Sequence, residues 1–126
     1  MSNKKNRMSK IIQLNQTEST NQYLQDLSNK ETLEEGSVVK CKLQTAGKGQ
    51  VGNKWEAEEG KNITCSMILY PFFIGIIEQF ILSEIISLAI IDTLSLNSKD
   101  ICIKWPNDIY FQNKKIAGIL IENTIS

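Results

Sequence analysis

At 126 residues the chain is large enough for one domain with a real core, at the small end for an enzyme. Hydrophobic residues make up 41% and charged residues 22%, the composition of an ordinary globular chain in water. The formal net charge of zero argues against a dedicated nucleic-acid binder, and the absence of histidine excludes histidine-based triads and His-ligated metals.

The zero hides an asymmetry. Lys4, Lys5, Arg7 and Lys10 give residues 1–10 a charge of +4, leaving 10 basic and 14 acidic groups in residues 11–126. Residues 1–10 are therefore expected to be a disordered basic tail, and residues 11–126 the folded domain. Arg7 is the only arginine, so anion recognition must come from lysines, amides and backbone N–H groups. Cys41, Cys65 and Cys102 show no zinc or redox spacing and read as buried thiols in a reducing cytoplasm. The start of the chain has no signal-peptide pattern. The most apolar stretch, 74–96, is interrupted by Glu78, Glu84 and Asp92, so it reads as a core helix rather than a membrane span.

Along the chain, Ile11, Ile12 and Leu14 suggest a first strand. Ser19, Thr20 and Asn21 follow as N-cap residues of a helix reaching about Leu27, with Tyr23, Leu24 and Leu27 on one face. The triplet is either simple capping or a polar grip for a small ligand at a helix N-terminus. Val39, Cys41 and Leu43 alternate with Lys40, Lys42 and Gln44, the pattern of a half-buried strand. A loop with three glycines, Gly47, Gly49 and Gly52, comes next and Trp55 closes it. It has neither P-loop nor dinucleotide spacing, but glycine lets successive N–H groups converge on an anion.

Residues 62–69 alternate again, with Ile63, Cys65, Met67 and Leu69 expected to face inward. The glycine loop should thus join two neighbouring strands. In the long helix, Gln79, Ser83 and Ser87 step by four and suggest a thin solvent stripe on a rod that packs broadly against a sheet. Residues 101–105 read as a strand ended by Pro106-Asn107-Asp108. Residues 109–111, a turn at 112–114 and residues 115–122 read as a hairpin. The period of two places Lys115, Ala117, Ile119 and Ile121 on one inward face, where Lys115 either snorkels to solvent or pairs with an anion. Asn107 and Asp108 are also ordinary turn residues, and Lys104, taken singly, is an exposed strand position. The fold class is α/β in the loose, α+β sense, a mixed sheet with packed helices.

Together these pieces resemble the biotin protein ligases. Gly47-Lys48-Gly49-Gln50-Val51-Gly52-Asn53-Lys54-Trp55 is similar to that family's glycine-rich loop. Lys104-Trp105-Pro106-Asn107-Asp108-Ile109-Tyr110 with Lys115-Ile116-Ala117-Gly118 is similar to its most specific block. Ser19-Thr20-Asn21 and Gln44 match in order and approximate spacing. The resemblance implies a fold like class II aminoacyl-tRNA synthetases and biotin synthetases. It implies an ATP-dependent biotin–[acetyl-CoA-carboxylase] ligase in the cytoplasm, with biotin and ATP as substrates and Mg²⁺ carried on the ATP. Biotinyl-5′-adenylate would form first, and biotin would then pass to a lysine of the biotin carboxyl carrier protein of acetyl-CoA carboxylase.

By the same resemblance, Lys115 is the catalytic cation, and Ser19, Thr20, Asn21, Gln44, Lys48, Gly49, Gln50 and Lys115 contact biotin. Gly47, Lys48, Gly49, Gln50, Gly52, Trp55, Asn107, Asp108 and Lys115 belong to the adenylate and ATP side. No metal ligands of the protein's own, no DNA and no membrane are implied. The family's loop commonly carries arginines where this chain has Lys48 and Gln50. Its catalytic domain continues beyond Glu122, so residues 11–126 are expected to be its N-terminal portion. An apolar strand left without neighbours seeks a partner, so self-association, including a homodimer, is expected. Two alternatives stand beside this reading: a lipoate–protein ligase or octanoyl transferase, and a truncated, inactive ligand-binding or interaction module.

Overall fold

A computed structural model describes residues 8–49, 54–72, 74–75, 79–94, 99–105 and 107–124. The chain divides into two compact units, Met1–Tyr70 and Pro71–Ser126.

The first unit is a three-stranded mixed sheet covered on one face by a helix. β1 (Ile11–Thr17) runs parallel to the central β2 (Val38–Gln44), and β5 (Thr64–Met67) pairs with β2 antiparallel. Between β1 and β2 lies α1 (Thr20–Lys30), which starts and ends close to where the Ser-Thr-Asn triplet and the apolar spacing place it. Leu24 of α1, Leu33 of the connector and Val39 of β2 form a buried cluster, flanked by Ile12, Leu14, Leu27 and Ile68. Each fully buried aliphatic side chain contributes about 1.5–3 kcal/mol, so this small core fixes the pitch of α1 over the sheet. Tyr23 lies at the rim of that face and is exposed.

Lys10, assigned to the tail by charge, is tied into the sheet. Its N–H donates to Ser37 Oγ at 3.0 Å, its carbonyl accepts from Val38 N at 2.8 Å, and its ammonium meets Glu31 at 2.7 Å. Parallel pairing of β1 with β2 requires these bonds to continue one residue before the strand proper.

Val39 and Cys41 are buried as the alternation requires. The next strand has the opposite phase. Ile63 and Met67 are exposed at 92% and 56%, Cys65 and Leu69 also face out, and Ser66 is the buried residue. The pairing explains why: Val39 aligns with Ser66 and Cys41 with Thr64, so the residues sharing the helix-covered face are the polar ones. Cys41 is the buried thiol, pushed above its ordinary pKa chiefly by burial, whereas Cys65 and Cys102 are exposed.

The second unit contains α2 (Gln79–Leu94) and an antiparallel meander of β6 (Ile101–Lys104), β7 (Asp108–Phe111) and β8 (Lys114–Gly118). The expected solvent stripe of α2 does not hold at Ser87, which is buried with no hydrogen-bond partner for its hydroxyl among the described residues, or at Ser83, which is half-buried. Phe80, Ile81, Ile85 and Leu88 are instead exposed, so α2 is not broadly covered by a sheet. An almost uniformly apolar helix carries little angular information about which side packs. Parts of the expected 74–96 span, including residues 76–78 and 95–96, lie outside the described residues.

β7 and β8 are joined by a two-residue turn, Gln112 and Asn113, both at positive φ (49° and 65°). That backbone twist matches a tight hairpin. Lys114 therefore belongs to the strand rather than the turn, and β8 ends at Gly118 rather than reaching residue 122.

Candidate functional site

In the first unit the site grows from the start of α1. Ser19 caps the helix from an extended backbone (φ −153°, ψ 129°), its hydroxyl accepting from Gln22 N at 3.3 Å. Thr20, 3% exposed, donates its backbone N–H to Gln44 Oε1 at 2.8 Å. Its hydroxyl lies 3.2 Å from the same oxygen and 2.7 Å from Ser66 Oγ. Ser66 Oγ in turn donates to Asn21 Oδ1. Three elements, α1, β2 and β5, thus bring Thr20, Asn21, Gln44 and Ser66 into one polar cluster.

The proton inventory of this cluster is uneven. Two hydroxyl protons serve three oxygen–oxygen contacts, because each hydroxyl carries one proton. The shortest contacts take them, which leaves Gln44 Oε1 held mainly by Thr20 N–H. Asn21 and Gln44 also carry side-chain NH2 groups, so the cluster holds both donors and acceptors and no formal charge, and it suits a neutral partner that carries both.

Directly beside it stands the base of the glycine loop. β3 (Gly47–Lys48) pairs with β4 (Lys54–Trp55), Gly47 opposite Trp55 and Lys48 opposite Lys54. Thr45 N donates to Thr17 O at 3.0 Å and Ala46 N to Glu18 O at 2.7 Å, pinning the hairpin to the residues just before Ser19. Gly47 is glycine for space. A Cβ there would lie 2.5 Å from both Gln44 Nε2 and Trp55 O. Lys48 is exposed and Gly49 half-buried; the expected ligand-covering residues Gln50 and Gly52 lie outside the described residues.

In the second unit, Asp108 and Lys115 meet on the meander, and the buried Asn107 immediately precedes β7. The pairing of β7 with β8 shifts between Ile109 and Tyr110, so Ile109 aligns with Ala117 but Tyr110 with Lys115. This bulge separates Lys115 from Ala117. Cross-strand partners share a face, so Ala117 goes with the fully buried Ile109, and Lys115 goes with Tyr110 and Asp108 on the other side. The expected inward-facing lysine is thus on the polar face, where its ammonium lies 3.1 Å from Asp108 Oδ1, both side chains partly exposed.

Lys104, aligned with Asp108, belongs to that face too, its ammonium 4.1 Å above the centre of the Tyr110 ring. Asn107 is buried, its carbonyl Oδ1 without a hydrogen-bond partner among the described residues, while its backbone carbonyl accepts from Ile119 N at 3.0 Å. Trp105 is 76% exposed, its ring 6.4 Å from that of Phe80. Among the described residues there is no cluster of three or more His, Cys, Asp or Glu side chains fit to hold a metal, and no helix long and apolar enough to cross a membrane.

Ser66 is the cluster member that sequence reasoning missed. Hydrophobic alternation favours the Cys65 face, and the local sequence carries no sign that a helix N-terminus sits opposite Ser66.

One unit presents a helix N-terminus beside a glycine hairpin on a mixed sheet, and the other a meander carrying an Asn-Asp and lysine set. The sequence model of the Biotin/lipoate A/B protein ligase family matches residues 14–126, and this chain belongs to that family. Among curated relatives, the bifunctional ligase/repressor BirA of Escherichia coli K12 is 37% identical over 108 residues, 85% of this chain and 33% of that protein. The biotin–[acetyl-CoA-carboxylase] ligase of Paracoccus denitrificans is 35% identical over 89 residues, 68% of this chain and 36% of that protein. The chain therefore spans about a third of the length of these relatives. Among solved structures, the biotin protein ligase of Aquifex aeolicus in complex with biotin and ATP superimposes with a TM-score of 0.66 at 29% identity, covering 93% of this chain and 48% of that one. The biotin acetyl coenzyme A carboxylase synthetase of Helicobacter pylori gives a TM-score of 0.71 over 93% of this chain and 56% of that one; at 24% identity it speaks for the fold alone.

Proposed function

We propose that residues 11–126 are part of the catalytic domain of a biotin–protein ligase, which activates biotin with ATP and transfers it to a lysine of a biotin carboxyl carrier protein. The observation that carries this reading is the uncharged, largely buried hydrogen-bonded cluster of Thr20, Asn21, Gln44 and Ser66. Biotin's ureido ring is uncharged and offers two N–H donors and one carbonyl acceptor. Neutral groups bind such a ring best when buried, because each hydrogen bond then replaces a contact already shielded from water. The cluster's oxygens can accept from the N–H groups, and the side-chain amides of Asn21 and Gln44 can donate to the carbonyl.

In the first step the biotin carboxylate attacks the α-phosphorus of ATP, and pyrophosphate departs with the bonding electron pair. Two anions must approach each other, so a fixed cation lowers the barrier. Lys115 takes that role. Asp108 orients its ammonium until the anionic substrates compete for it, and Asn107, just before β7, offers a buried carbonyl acceptor on the adenylate side. Mg²⁺ enters on the phosphates of ATP as part of the substrate.

In the second step the carrier lysine attacks the acyl carbon and AMP leaves. Lys48, Gly49, Gln50 and Gly52, hinged on Gly47 and Trp55, form the segment that covers the adenylate and keeps water from hydrolysing the mixed anhydride. The relatives named for biotin ligation support the biotin branch, and no observation favours lipoate. The test is calorimetry with biotin and with lipoate, followed by biotin-dependent exchange of labelled pyrophosphate into ATP. Biotin binding with exchange is the expected result. Lipoate binding in its place, or neither ligand bound, would overturn the proposal in favour of a lipoyl enzyme or a non-catalytic module.

A further inference from the structure

We propose that Lys104 is a second phosphate-binding cation on the polar face of the meander, gripping the pyrophosphate end of the nucleotide while Lys115 serves the reacting α-phosphate. The inference rests on the biotin-ligase reading and extends it to a residue outside the expected site set.

Strand pairing places both lysines over the same middle strand. Lys104 on β6 aligns with Asp108, and Lys115 on β8 aligns with Tyr110, with Asp108 and Tyr110 two apart on one face of β7. The two side chains lean across β7 in opposite diagonals: Lys104 reaches the Tyr110 ring at 4.1 Å, and Lys115 reaches Asp108 at 3.1 Å. Long side chains span such diagonal distances without strain.

Their partners differ in a way that matters. The carboxylate of Asp108 offsets much of the charge on Lys115. Lys104 makes no ion pair among the described residues and rests on a neutral ring, which positions the ammonium without cancelling its charge. Its N–H donors remain available to an anion from the exposed side of the sheet. Among the paired strand residues of this face, two lysines stand beside one carboxylate. In adenylation the bond from the α-phosphorus to the pyrophosphate oxygen breaks, and negative charge grows on the departing group, which is where a second cation is useful. Lys114 provides an internal control. It pairs with Phe111, which lies on the Ile109 side of β7, so it carries the same charge on the opposite face.

The experiment is calorimetric titration of the chain with inorganic pyrophosphate, comparing Lys104→Gln, Lys104→Arg and Lys114→Gln, with circular dichroism to check that each variant folds. Lys104→Gln should weaken binding by about threefold to tenfold and reduce its salt sensitivity, as expected for one partly exposed charge contact. Lys104→Arg should retain most of the affinity, and Lys114→Gln should match the parent. Equal affinity for Lys104→Gln and the parent, an equal loss in Lys114→Gln, or no pyrophosphate binding by the parent would each overturn the assignment. Titration of the same samples with biotin reports separately on the ligase reading, so a chain that fails to bind biotin but shows the Lys104 dependence would reject that reading alone.

Discussion

The two units handle polarity in opposite ways. In the first, Thr20 and Ser66 are buried and make short neutral hydrogen bonds. In the second, Lys104, Asp108 and Lys115 sit on a face open to water. The contrast follows from what each set has to hold. A neutral ring is recognised only by short-range directional bonds, which weaken in competition with water, so its partners must be buried and mutually satisfied. An anion is attracted over a longer range, and burying the lysines that meet it would cost more than the attraction returns. On the proposed function, specificity would reside in the buried cluster and charge neutralisation in the exposed set.

The sharpest way to test that division is Lys115→Ala. It should lower the single-turnover rate of adenylate formation by about 10²–10³, the usual cost of one charge-stabilising contact in the transition state, while biotin affinity stays close to the parent. Equal losses in both would mean that Lys115 is part of the recognition set. The first unit should respond in the reverse sense. Thr20→Val keeps the shape and the backbone N–H that holds Gln44 Oε1, but leaves Ser66 Oγ short of a partner, a cost of about 1–3 kcal/mol. Biotin affinity should fall by about tenfold or more, and the melting temperature by several degrees, seen by calorimetry and thermal circular dichroism.

Gly47→Ala probes the hinge between cluster and loop. The added methyl would meet Gln44 Nε2 and Trp55 O at 2.5 Å, so the hairpin base must open, at about 1–3 kcal/mol. Faster proteolysis at the loop and weaker biotin binding are the expected readouts; an unchanged variant would show that the hairpin does not lean on the cluster. The smallest effect belongs to an exposed pair. Glu31→Gln removes the partner of Lys10 at a site 42% exposed on the Glu31 side, and should cost about 0.2–1 kcal/mol, vanishing in high salt. Urea melts at low and high salt measure it.

What the sequence determined by itself is local. The Ser-Thr-Asn triplet marked the start of α1, because side-chain capping is written in three adjacent residues. The alternation of Val39 and Cys41 gave the buried face of β2, and the Lys-Trp-Pro-Asn-Asp block pointed to the family. What the tertiary structure decided are the phases and pairings that link distant segments. Residues 62–69 alternate equally well either way round; only the alignment of Val39 with Ser66 turns the serine under the helix and the apolar face outward. Likewise, a bulge between Ile109 and Tyr110 moves Lys115 to the face of Asp108, which no period of two can foresee. A one-residue shift inverts a strand's faces, and its sign is set by partners far away in sequence. Residue chemistry was therefore legible from the chain, while the side each strand presents had to come from the fold.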